Sequence, residues 1–370
     1  MDKGICDTKS KKPVLFLHIG THKTGTTALQ VCMAKNQKFL MENKICYTEY
    51  SETLYNHAHL LANLSNEYKE LIKNIGVLFP EYLFQPIENI IERMKTVFYK
   101  NKCNIMVMSS EDFYAHPLFL ECLKLYFMEF EIKIICYLRR QDNFIESNHN
   151  QVCKVFGNIC YYDDYIKYPL NIKFDDRNIY SLKDNISNRI LAKIVCDSKI
   201  YLKYYTTLSI WAQIYGKENI IVRPYEKSQL SSGIEYDFFT NVLGLDRDVL
   251  SELDLNKKIN ESVKKDIIEY EIATKLFEKM PGDVFYELNQ NPALAYLAEN
   301  NKKNILPTKL AEEILEYYKE ENEKIAREYL GREDGILFYD KRREEKDDYP
   351  GLSLQAAIDI SRELIRVISI

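Results

Sequence analysis

No stretch of this 370-residue chain reaches the roughly 18 uncharged residues of a membrane-spanning helix. The polar opening MDKGICDTKSKKPV lacks the apolar core of a secretion signal. These absences predict a soluble, cytoplasmic protein with no transmembrane segment. The nine cysteines, Cys6, Cys32, Cys46, Cys103, Cys122, Cys136, Cys153, Cys160 and Cys196, include no CxxC pair and no histidine partner at metal spacing. Reduced, mostly buried thiols and no metal site are expected. Neither sign of charge dominates, since 50 Lys and Arg stand against 55 Asp and Glu for a formal charge of -5. Without a global basic field, nucleic acid is not an expected partner, although a local basic pocket remains compatible. Internal repeats and low-complexity tracts are also missing.

What is present is enough apolar residue, 46%, for a sizeable core and an appended subdomain. After a polar tail at 1–12, Val14 to Ile19 reads as a buried strand and Thr26 to Leu40 as a helix. A short strand at Ile45 to Tyr47, a helix at the end of SETLYNHAHLLANL and an amphipathic helix at 86–100 follow. NIMVMSS and IKIICYLRR read as strands separated by a helix at 117–130. A helix at 144–156, a Tyr-rich polar stretch at 157–190 suited to a lid or acceptor insertion, a helix around Trp211 and the strand NIIVRPYE complete this part.

Strands alternating with helices predict a parallel, doubly wound α/β sheet at 13–262. Beyond residue 262 the pattern is almost purely helical, at 263–279, 284–299, 308–329 and 353–368, a helical C-terminal extension over 263–370. Ligands of such sheets sit beyond the carboxyl ends of the strands, which draws attention to the Thr and Lys loop after the first strand, to SSED and to RRQD.

The first of these, HIGTHKTGTTALQ, is a strand-to-helix turn with two glycines. Such a turn presents free backbone N–H groups and the positive end of a helix dipole, an anion site. The common nucleotide loop GxxxxGK[ST] places Lys after its second Gly. Here the order is Gly20, Lys23, Thr24, Gly25, Thr26, Thr27, so the lysine precedes its glycine by two positions. A lysine there can lean over the scissile end of a phosphate while Thr26 and Thr27 hold the other oxygens. The second motif is YLRRQDNFIESNHNQ at 137–151. Arg139 at a strand end and Ser147 eight residues later can clamp one phosphate between a guanidinium fork and a hydroxyl. Two phosphate sites imply a bis-phosphorylated nucleotide.

Together these motifs resemble those of sulfotransferases that use 3′-phosphoadenosine-5′-phosphosulfate (PAPS), most closely bacterial carbohydrate-type members. Arg139, Arg140 and Gln141 stand where the eukaryotic motif begins Arg-Asn-Pro. The resemblance extends through SSEDF at 109–113, WAQIYGKENIIVRPYE at 211–226, NES at 260–262 and ENEKIAREYL…GILF at 321–337. It implies a P-loop-like parallel sheet flanked by helices, the sulfotransferase fold, and transfer of a sulfuryl group from PAPS to a carbohydrate hydroxyl, as on a bacterial surface glycan. It further implies that Lys23 meets the bridging oxygen and sulfuryl group, that Gly25, Thr26 and Thr27 bind the 5′-phosphate with His22 and Thr24 alongside, and that Arg139 and Ser147 hold the 3′-phosphate. Phe144 stands where many members carry a second Arg. Arg140 or Arg223 is then the candidate to supply the missing contact.

Sulfuryl transfer depends on positioning and charge stabilisation, as phosphoryl transfer does. Lys23 suits the charge developing on the leaving oxygen, and a monoanionic sulfate imposes no need for Mg²⁺. The general base has several candidates. Glu111, where cytosolic members place a His at a strand end, ranks first. His57 and His59 come next, because a His needs no pKa shift to act near neutral pH. Glu49 and Glu52 match loosely the Glu of glycosaminoglycan sulfotransferases and rank last.

His18, inside the apolar strand, is expected to be a satisfied core residue. Trp211 is expected in the core rather than on an adenine, and KRREEKDD at 341–348 reads as a solvated linker. Two alternative functions are a P-loop small-molecule kinase, disfavoured by the lysine position, and a catalytically silent nucleotide-binding scaffold.

Overall fold

Val14–His18 (β1) forms the middle strand of a five-stranded, wholly parallel sheet. The computed structural model describes residues 12–48, 56–64, 86–156, 201–230, 232–253, 263–274, 282–304, 308–341 and 344–368. The other strands are Ile45–Tyr47 (β2), Ile105–Ser109 (β3), Glu131–Leu138 (β4) and Ile220–Pro224 (β5), in the order β2-β3-β1-β4-β5. β1 lies in register between β3 and β4, with Val14 beside Ile105 on one side and Glu131 on the other. Covered on both faces, it needs a continuous apolar run rather than alternation, which VLFL supplies. Between β3 and β4 the chain crosses from one side of β1 to the other. The carboxyl end of β1 therefore lies at the switch point of the sheet.

The α/β expectation is met, and the flanking helices follow their sequence patterns closely. Ile87, Ile90, Ile91, Met94 and Phe98 line the buried face of Ile87–Lys100, at the helical spacing the sequence shows. The helix expected at 26–40 is instead two, Thr26–Lys35 (α1) and Gln37–Glu42 (α2). Asn36 stands at the break, where its side-chain amide competes for the Cys32 carbonyl at 2.8 Å beside the last helical bond from its own N–H. The helix expected at 117–130 is likewise two short turns, Pro117–Leu120 and Leu123–Tyr126. Trp211, on Tyr204–Tyr215, is buried and donates its indole N–H to the Tyr114 carbonyl at 3.1 Å, as a core residue does.

By mutual contact the chain divides into two units. One holds the sheet, with Leu208–Tyr225 and the segment from Leu230. Leu29, Met33, Tyr137, Phe238 and Phe239 lie in its core. The other begins at Arg139 and combines that segment with Glu226–Gln229 and the C-terminal helices.

In this second unit Gln141–Phe156 (α3) packs against Thr308–Tyr317 (α4), which is followed by Lys319–Glu328 (α5). A further core there gathers Ile267, Leu288, Leu297, Ile360 and Leu364. The run at 341–348 is not simply a solvated linker. Asp348 accepts hydrogen bonds from the Thr308 N–H and hydroxyl at 2.8 and 2.7 Å, and so caps α4 from a distance in sequence. No helix among the described residues is long and apolar enough to cross a membrane. The Tyr-rich stretch at 157–190 lies outside the described residues.

Candidate functional site

Beyond β1 the chain stays tied to β4, which shapes the loop leading into α1. Tyr137 donates to the Gly20 carbonyl at 2.7 Å and Thr21 donates back to the Tyr137 carbonyl at 2.8 Å. Gly20 has φ +94°, and a Cβ there would meet the Glu111 Cα at 3.0 Å. Only glycine lets the loop and the end of β3 come this close. Gly25, with φ +79°, ends the loop, and a Cβ on it would meet the Tyr225 hydroxyl and Ile234 at 3.2 Å.

The threonines divide their work. Thr21 donates to the Tyr137 carbonyl at 3.2 Å and Thr24 to the Thr21 carbonyl at 2.6 Å, so both hydroxyls hold the loop itself. Thr26 is buried and leans toward the Thr21 carbonyl and Glu111, whereas Thr27 is exposed. The N-terminus of α1 has no side-chain cap and no acidic residue in its first turn. Its N–H groups and dipole are therefore not neutralised by the helix's own side chains. Lys23 sits at φ +65° within the same loop.

Glu111 follows β3 directly, in a turn capped by Ser110, whose hydroxyl accepts from the Asp112 N–H at 3.2 Å. Its carboxylate lies 2.9 Å from His22 Nδ1, and Asp112 lies 3.7 Å from the other ring nitrogen. Burial works against charge on His22, but Glu111 and then Asp112 outweigh it and raise the imidazole from 6.5 to about 9. Burial likewise pushes Glu111 up, yet His22, Lys23 and the Thr26 hydroxyl together bring it below its ordinary value. At neutral pH the pair is imidazolium and carboxylate. The two side chains keep 37% and 34% exposure, so water reaches them and moderates both shifts.

His57 and His59 occupy a different environment, each 2% exposed. The Ser109 N–H donates to His57 Nδ1 at 3.1 Å, and the two rings stack 6.0 Å apart. Burial, reinforced for His59 by its neighbour His57, lowers them to about 4 and about 3. They are neutral at physiological pH and buried. His18 is buried as expected and pairs its Nδ1 with the Ser109 hydroxyl at 2.8 Å. Its Nε2 has no hydrogen-bond partner among the described residues, so it is only half satisfied. Glu49 and Glu52 lie outside the described residues.

From Arg139 on, the second motif belongs to the other unit. Arg139 has its carbonyl held by the Tyr204 hydroxyl at 2.7 Å, and Ser147 lies half-buried on α3. Phe144 is buried against the Tyr201 ring. Arg140 is engaged within the same unit. Its guanidinium is bidentate to Asp142 at 2.8 and 3.0 Å, and its third nitrogen donates to the Asp340 carbonyl. Arg223 is committed in the same way to Asp237, a carboxylate that also accepts from the Tyr137 hydroxyl at 2.7 Å. Both arginines are held in ion pairs, Arg140 with Asp142 of its own motif and Arg223 with the more distant Asp237.

No family model matches the chain. It is similar to a protein of Archaeoglobus fulgidus described as uncharacterized, with 28% identity over 236 residues. The match takes in 61% of this chain and 55% of that protein, so the chain spans about half the length of this relative. The functional reading rests on the chemistry of the sites.

Sequence reasoning missed two neighbours of the loop. Tyr225, whose hydroxyl abuts Gly25, directly follows β5, a position the strand-end rule itself singles out. Gln30, one helical turn into α1, donates to the Ser109 hydroxyl and carbonyl at 3.1 and 3.3 Å and ties α1 to β3. No motif signals that contact. Among the described residues no group of three or more metal-ligating side chains gathers.

Proposed function

We propose that the chain is a PAPS-dependent sulfotransferase acting on a carbohydrate hydroxyl, with the sheet and its β1–α1 loop as a P-loop-like sulfotransferase fold. The observation that carries the reading is a loop whose lysine precedes its glycine and opens onto an uncapped helix N-terminus, beside the His22 and Glu111 pair. The residues present suit an anionic 5′-phosphosulfate. Gly25 brings the loop close to the Tyr225 hydroxyl, and no acidic side chain occupies the first turn of α1.

In this reading the N–H groups of Thr26 and Thr27 hold the 5′-phosphate, and Arg139 with Ser147 holds the 3′-phosphate. When bound, PAPS supplies the sulfuryl group and a phosphate as leaving group. Lys23 stabilises negative charge at the loop. Glu111 takes the proton of the acceptor hydroxyl, and His22 orients the carboxylate and balances its charge. The buried environments of His57 and His59 favour Glu111 over them as the base. The carbohydrate class of acceptor rests on the resemblance of the motifs.

A thermal-shift comparison tests the reading. Adenosine 3′,5′-bisphosphate is expected to raise the melting temperature well above the effect of ATP with Mg²⁺ at equal concentration. Preference for ATP with Mg²⁺ would instead identify a kinase. Binding of the bisphosphate without transfer of labelled sulfate from PAPS to any member of a glycan panel would identify a silent scaffold.

A further inference from the structure

The residues after Arg139 are held by a polar network that reaches far along the chain. Gln141, fully buried, exchanges two amide hydrogen bonds with Asn322 of α5: its Nε2 donates to Asn322 Oδ1 at 2.8 Å, and Asn322 Nδ2 donates back to its Oε1 at 3.0 Å. Arg140 is fastened to Asp142, in the first turn of α3, and to the Asp340 carbonyl.

Asp340 is itself fixed by a reciprocal clasp. The Glu226 carboxylate accepts from the Tyr339 and Asp340 N–H groups at 2.6 and 2.9 Å, and the Asp340 carboxylate accepts from the Lys227 and Ser228 N–H groups at 2.9 and 3.1 Å. With Tyr204 on its carbonyl, Arg139 enters α3 through a backbone held from several separate segments. Burying Arg140, Asp142 and Glu226 costs desolvation that a well-packed apolar cluster would avoid. Fixed geometry is what such a network offers in return.

We infer that Asn322, Arg140 and Asp340 are positioning residues for the second motif, setting the backbone from which Arg139 and Ser147 present a 3′-phosphate site. The inference rests on the assignment of that motif to the 3′-phosphate. The C-terminal helices are then part of nucleotide recognition and not an appendage to it.

Isothermal titration with adenosine 3′,5′-bisphosphate and with AMP, which lacks the 3′-phosphate, tests this. Wild type is expected to prefer the bisphosphate. Asn322→Leu should weaken bisphosphate binding about tenfold while AMP binding changes less than about twofold. The swap Gln141→Asn with Asn322→Gln restores an amide pair and should recover affinity to within about threefold. Asn322→Asp keeps an acceptor for Gln141 Nε2, should lose an intermediate amount, and carries the same comparison if Asn322→Leu does not fold.

Equal losses for both nucleotides, no loss for either, or a swap that recovers nothing would overturn the positioning role. A wild type that does not discriminate the two nucleotides would overturn the assignment of the motif itself.

Discussion

His22 Nδ1 lies 2.9 Å from Glu111 Oε1, joining the loop after β1 to the turn after β3. The pairing of β1 with β3 makes these chain segments neighbours, and the glycine at position 20 removes the Cβ that would hold them apart. A cation and an anion thus stand together beside a helix N-terminus.

The ion pair has a direct spectroscopic consequence. With Glu111→Gln the attraction that outweighs burial is removed, so the His22 imidazole should fall from about 9 to near or below 6.5. Because its folded value lies above the unfolded one, the His22 contribution is present at pH 6.5 while Glu111 stays ionised, and it is lost as pH rises through about 9. An NMR titration of His22 in the two proteins checks this. An unchanged midpoint in the variant would refute the pairing.

At the acid end His18, His57 and His59 dominate. Burial holds them at about 4, about 4 and about 3, below the unfolded value of 6.5. The unfolded chain takes up their protons first, so stability is intact above pH 6.5 and is lost as pH falls toward 4. Each histidine adds a slope of up to about 1.4 kcal/mol per pH unit. Denaturant melts at pH 7, 6 and 5 should show the decline, and a flat profile would show that these rings titrate normally.

Gly20→Ala should be costly for a local reason. A side chain at φ +94° is strained, and its Cβ would press on the backbone of Glu111, which cannot rotate away. A loss of about 1–3 kcal/mol is expected in equilibrium unfolding. Stability within about 0.5 kcal/mol of wild type would mean that loop and turn are not in contact.

Lys23→Ala and Arg223→Leu should separate chemistry from scaffolding. The first is expected to abolish sulfate transfer while bisphosphate binding is weakened but measurable. The second leaves the buried Asp237 carboxylate without its cation and should cost about 3–5 kcal/mol of stability, with bisphosphate affinity little changed in the folded fraction. Loss of binding in Arg223→Leu without loss of stability would restore Arg223 as a phosphate ligand.

Much of the architecture was determined by the sequence alone. Five apolar runs became five strands, and Ile87 to Phe98 became a helix with the expected buried face, because burial periodicity and turn chemistry act over a few residues. The glycines and lysine of the first loop were equally legible as a strand-to-helix turn.

Tertiary structure alone decided how the charges and amides pair. Arg140 found the distant Asp340 carbonyl, and Arg223 found the Asp237 carboxylate. His22 and Glu111 met across two strands, and Gln141 found Asn322 from another helix. The physical reason is range. A buried charge or amide must find a partner wherever the fold supplies one, and nothing in its neighbours along the chain records which segment that is.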